Sequence, residues 1–113
     1  FEMILGARIP ELIRGHLRPW LEAWLREHGH TLESIAAWAV HPGGPRILSA
    51  VEKALGLPKE ATDLSREILS MYGNMSSPTI LFILNQLRRD GAHLPCVALG
   101  FGPGLVAEAA IFV

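Results

Sequence analysis

Residues 34–45, SIAAWAVHPGGP, decide the fold. Ser34 to Val40 is short and continuously apolar, with β-branched and aromatic side chains, which predicts a buried strand. It ends at His41-Pro42-Gly43-Gly44-Pro45, where glycine and proline make a turn. Pro45 suits the first turn of a helix, because its missing N–H would find no intrahelical partner there. Ile47, Leu48, Val51 and Leu55 then recur on one helical face. Gly56 ends that helix and Pro58 prevents its restart. A buried strand leading into an amphipathic helix is a building unit of α/β folds.

The pattern extends both ways from this unit. Downstream, Thr62 or Asp63 is placed to cap a helix that stops at Gly73. Asn74-Met75-Ser76-Ser77-Pro78 is a second junction, with Ser77 as N-cap and Pro78 as first helical residue of the next helix. That helix is apolar on nearly every face from Ile80 to Leu84 and ends in solvent at Arg88, Arg89 and Asp90. Helices hydrophobic all round lie in the middle of a structure, so a second layer of protein is expected over this one. Cys96 to Phe101 reads as a strand, Gly102-Pro103-Gly104 as a tight turn and Leu105 to Val113 as the returning strand. Upstream, Phe1 to Leu5 reads as the end of a strand, and Pro10 to about Gly29 as a helix. Ile13, Leu17, Trp20, Leu21, Trp24 and Leu25 recur there at three- and four-residue spacing. Pro19 predicts a kink or a fresh helix start, since an interior proline costs about 3 kcal/mol. The expected architecture is one α/β domain over residues 1–113, a mixed sheet with packed helices and a C-terminal β-hairpin.

Composition narrows the function. The chain has 113 residues, half of them hydrophobic, with mean hydropathy +0.28. That is apolar for a soluble domain and points to surface that meets another domain or subunit. Net charge is −1 and no basic run is present, which argues against nucleic-acid binding. The apolar run Ile80–Leu84 is far too short for a membrane span, and no signal peptide is visible. Cys96 stands alone, so no internal disulfide forms, and a reducing cytoplasm is expected. His16, His28, His30 and His93 lack metal-ligand spacing and read as solvated side chains. Because the chain begins at Phe1 rather than Met, it is expected to be part of something longer.

Three motifs carry chemistry: HPGGP at 41–45, GNMSS at 73–77 and GFGPG at 100–104. Each alone has a plain explanation as a turn or hairpin. Together they put two polar side chains, His41 and Asn74, where the chain leaves a rigid element just before a helix, a placement that aims a side chain into a cleft. In these motifs, and over nearly its whole length, the chain resembles the C-terminal domain of type III polyketide synthases of the chalcone/stilbene synthase family. Fatty-acid ketosynthases of the related class III kind also place a His and an Asn here, but typically follow the His with Gln-Ala-Asn.

The resemblance implies the C-terminal half of a thiolase-like fold and a cytoplasmic homodimer. It implies an acyltransferase that condenses malonyl-CoA, with loss of carbon dioxide, onto an acyl-CoA starter. It makes His41 and Asn74 the catalytic donors, and assigns Gly43, Gly44 and Ser76 to substrate or coenzyme A contact. Gly100, Phe101, Gly102, Pro103 and Gly104 would shape the cavity wall. Arg46 departs from the family, which has a small residue there. Coenzyme A thioesters enter as substrates, and no metal or prosthetic group is implied. The family's nucleophilic cysteine belongs to an N-terminal half that this chain lacks, and Cys96, inside a predicted strand, does not replace it. The chain alone is therefore expected to be inactive. A stand-alone thiolase-like interaction module and a ketosynthase III relative are the alternatives.

Overall fold

A computed structural model describes the backbone of residues 2–41, 44–72, 77–102 and 106–113, and side chains over 10–41, 44–71, 79–101 and 107–113. The element order is α1 (Glu2–Glu27), β1 (Ala37–Val40), α2 (Pro45–Leu55), α3 (Asp63–Tyr72), α4 (Ser77–Arg89), β2 (Cys96–Gly102) and β3 (Val106–Phe112). Short 3-10 turns at Leu32–Ser34 and Lys59–Thr62 lead into β1 and α3. The sheet order is β1-β2-β3. β1 and β2 run parallel with Val40 opposite Leu99, and β2 and β3 run antiparallel with Ala98 opposite Ala110. The mixed sheet and C-terminal hairpin are those expected; Pro103 and Gly104, where the sequence predicts the turn, lie outside the described residues.

Strand alternation sorts side chains by size. Trp38, Val40, Val97 and Leu99 face Ile13, Leu17, Leu21 and Leu25 of α1 and Leu48, Val51 and Leu55 of α2. Ala37, Ala39, Cys96 and Ala98 face Leu64 and Ile68 of α3 and Ile80, Ile83 and Leu84 of α4. The result is three layers, with large side chains towards one helix pair and small ones towards the other. α2 and α3 are joined by an ion pair, Arg66 Nη2 to Glu52 Oε2 at 3.0 Å, supported by Arg66 Nη2 donating to Ser49 Oγ at 3.2 Å.

Four expectations are corrected. Phe1–Leu5 is not the end of a strand: α1 begins at Glu2, and the proline expected at a helix start, Pro10, sits inside it. Of the two expectations for Pro19, a kink or a fresh helix start, the fresh start is excluded, because one helix takes in both prolines. Pro19 is exposed, while Ile13, Leu17, Leu21 and Leu25 are buried. Four such side chains contribute about 1.5–3 kcal/mol each, which outweighs the ~3 kcal/mol cost of one proline. The strand predicted from Ser34 is shorter, Ala37–Val40, because Ser34 closes a capping box with Thr31. Thr62 does not serve simply as a cap: it is buried, and its hydroxyl donates to the Glu52 carboxylate.

α2 follows the expectation closely. Gly56 closes it at φ 66°, a left-handed conformation that glycine adopts without strain. α4 is covered on only one side. Ile83 is fully buried, but Leu81 and Phe82 are 66% and 51% exposed. Among the described residues, no helix is long and apolar enough to cross a membrane.

The two faces of α1 predict opposite outcomes. Leu21→Ala should cost about 2–5 kcal/mol in urea unfolding. Pro19→Ala, on the solvent side, should stabilise, by up to about 3 kcal/mol, as it restores an N–H and helix propensity. A Pro19→Ala protein less stable than its parent would show that the proline is required.

Candidate functional site

The site grows from the carboxyl ends of the parallel strands, where ligands bind in open α/β sheets. His41 follows the last residue of β1, and its N–H still donates to the Leu99 carbonyl at 2.8 Å. The ladder thus runs one residue beyond the strand. Position 41 continues the series Ala37 and Ala39, and Gly100 continues Cys96 and Ala98, so both belong to the face that meets α3 and α4. His41 is half-buried and makes a side-chain or backbone interaction beyond that N–H bond. Among the described residues, none lies within 4 Å of a Cβ placed on Gly100.

Gly44 starts α2 at φ 156° and ψ 162°, a region that is essentially glycine-only. Its carbonyl accepts from Ile47 N–H at 3.1 Å and Leu48 N–H at 3.2 Å. Glycine here lets a fully extended arrival turn at once into the helix. Arg46, exposed in the first turn of α2, adds a cation to this end of the fold.

The remaining assigned residues divide. Gly102 is described by backbone alone and pairs with Val106. Asn74, Gly43, Ser76, Pro103 and Gly104 lie outside the described residues. Phe101 shares a shallow apolar pocket with Leu12, His16, Leu17, Trp20 and Ala107. Its ring therefore lies on the α1 side of the sheet, opposite the face to which position 41 belongs. The strand's own parity would have shown this, because 97, 99 and 101 share a face.

A residue not singled out by the sequence also reaches the site. Ser65, in the first turn of α3 and buried, donates its hydroxyl to the Val40 carbonyl at 2.7 Å.

Cys96 is buried in β2, and burial pushes its thiol up from the ordinary value. A neutral, inaccessible thiol is a poor nucleophile. His16, His28 and His93 are exposed, and no group of three or more His, Cys, Asp or Glu suited to a metal occurs among the described residues. His28 instead meets the Trp24 carbonyl through Nδ1 at 2.9 Å.

Residues 1–113 match the family model of chalcone and stilbene synthases, C-terminal domain. The chain is 39% identical over 111 residues to a 1,3,6,8-tetrahydroxynaphthalene synthase of Streptomyces peucetius subsp. caesius, an alignment covering 96% of this chain and 29% of the relative. It also superposes on the crystal structure of PKS-I from the brown alga Ectocarpus siliculosus, with a TM-score of 0.87 and 29% identity over 92% of this chain and 30% of that one. It therefore spans less than a third of the length of these relatives.

Cys96 gives a direct test of its structural role. Alkylation by iodoacetamide at neutral pH should be slow in the native protein and become rapid in denaturant. Equal rates in both states would place the thiol at the surface.

Proposed function

The chain belongs to the chalcone and stilbene synthase C-terminal domain family, and from that premise we propose that it is the His- and Asn-bearing half of a type III polyketide synthase. The observation that carries this reading is HPGGP at the carboxyl end of β1, with His41 still bonded into the β2 ladder.

The proposed reaction begins with an acyl group held as a thioester on a cysteine of an N-terminal half. Malonyl-CoA loses carbon dioxide, and the electron pair of the broken bond becomes an enolate whose charge rests on the thioester oxygen. An imidazole N–H of His41 and the carboxamide N–H of Asn74 are the proposed donors to that oxygen. Each is expected to stabilise the transition state by about 2.7–4 kcal/mol. The enolate carbon then attacks the acyl thioester, a C–C bond forms, and the cysteine leaves as thiolate. As an imidazolium, His41 would also lower that cysteine's pKa. Asparagine does not titrate, so its donor is present at every pH. Gly43, Gly44 and Ser76 would border the pantetheine arm, and Gly100 with residues 102–104 the cavity wall, whereas the Phe101 ring packs on the α1 side. The chemistry draws on acyl-CoA and malonyl-CoA and on no metal or prosthetic group.

The partner proposed for the chain is an N-terminal half bearing that cysteine, with the whole acting as a cytoplasmic homodimer. The exposed Leu81 and Phe82 of α4 support a covering layer.

In the complete synthase, His41→Ala and Asn74→Ala should each lower polyketide formation from malonyl-CoA by about a hundred- to a thousandfold. Unchanged turnover in either variant would remove that residue from the mechanism. The chain of residues 1–113 alone should release no polyketide from radiolabelled malonyl-CoA. Product from it would mean that a nucleophile other than the proposed cysteine is at work.

A further inference from the structure

We infer that Ser65 is a positioning residue for His41, an inference that rests on the reading of His41 as a catalytic donor. The peptide group between Val40 and His41 has one acceptor and one donor, pointing to opposite sides because the bond is trans. Both are taken. The Val40 carbonyl accepts the Ser65 hydroxyl at 2.7 Å, and the His41 N–H donates to the Leu99 carbonyl at 2.8 Å.

The bond from Leu99 alone would leave this peptide free to rock about its Cα–Cα axis. β1 ends at Val40, and its outward edge has no strand partner among the described residues. Ser65 closes that edge. It is 1% exposed, so water does not compete for the carbonyl. The hydroxyl is itself held in place. Arg66, the next residue, is tied to Glu52 and Ser49 of α2, and Ile68, one turn on, is buried against Ala39 and Ile83. α3 thus bridges α2 and the sheet, and Ser65 transmits that rigidity to the peptide that leads into His41.

Displacement of a catalytic group by about 1 Å costs on the order of a hundredfold in rate. In the complete synthase, Ser65→Ala should lower kcat by about ten- to a hundredfold and leave KM for malonyl-CoA within about twofold, because the donor contributes mainly in the transition state. Ser65→Thr, which keeps the hydroxyl, should recover most of the rate. The imidazole nitrogen resonances of His41 should move in Ser65→Ala and return in Ser65→Thr, while those of His16 on α1 and of His28 in the turn after it stay fixed. If Ser65→Ala does not fold, Ser65→Cys, with similar shape and a weaker donor, carries the same test and should show the same loss confined to kcat. A folded Ser65→Ala or Ser65→Cys enzyme with parental kcat overturns the inference, as does a Ser65→Thr enzyme as impaired as Ser65→Ala. A His41→Ala enzyme with unchanged turnover, by contrast, overturns the functional reading beneath it.

Discussion

Parallel pairing of β1 with β2 is the constraint on which the rest of the molecule depends. It puts Val40 beside Leu99 and carries the ladder one residue past the strand to His41. These two strands are distant in sequence, so α2, α3 and α4 form the connection between them. His41, the proposed donor, follows directly where that pairing stops. A shift of register by one residue would exchange the faces of Ala39 and Val40, set large side chains against α4 and turn position 41 towards α1. The sorting of side chains by size, Trp38, Val40, Val97 and Leu99 one way and Ala37, Ala39, Cys96 and Ala98 the other, makes that shift costly. Register and site are thus specified by the same set of residues.

Much of this was legible in the sequence. The strand entering HPGGP, the proline and glycine bounding α2, the hairpin at the end and the half-covered helix after Pro78 all follow from local rules of turns, caps and periodicity. The N-terminal limit of α1 was not. Phe1–Leu5 is a short apolar run that serves a strand or a helix equally well, and Pro10 resembles a helix start. The burial of Ile13, Leu17, Leu21 and Leu25 along one face explains why the helix runs on through Pro19. Local propensity yields here to tertiary packing.

The candidate site was legible as a motif and not as a geometry. His41 could be singled out from its neighbours, but the partners of its peptide could not. Ser65 looks like any polar residue in a first helical turn, and its acceptor lies 25 residues away, a separation at which sequence carries no periodic signal. Thr62 was misjudged for a related reason: its hydroxyl is engaged by Glu52 on another helix. Phe101 belongs to the GFGPG motif by position yet to the α1 packing by side chain. Motif membership says which residues are neighbours along the chain, whereas strand parity says which side of the sheet each one serves.

The row of small residues beneath α4 has a consequence of its own. With Ala39 and Ala98 under Ile83, the sheet acts as a depth gauge for that helix. Close packing leaves little slack at such a contact. A valine at position 39 would work as a wedge, lifting α4 as a rigid rod rather than deforming it locally. His41, by contrast, is pinned to the sheet below through the Leu99 carbonyl. The methyl groups of two alanines therefore set how far this rod stands from the sheet that carries His41.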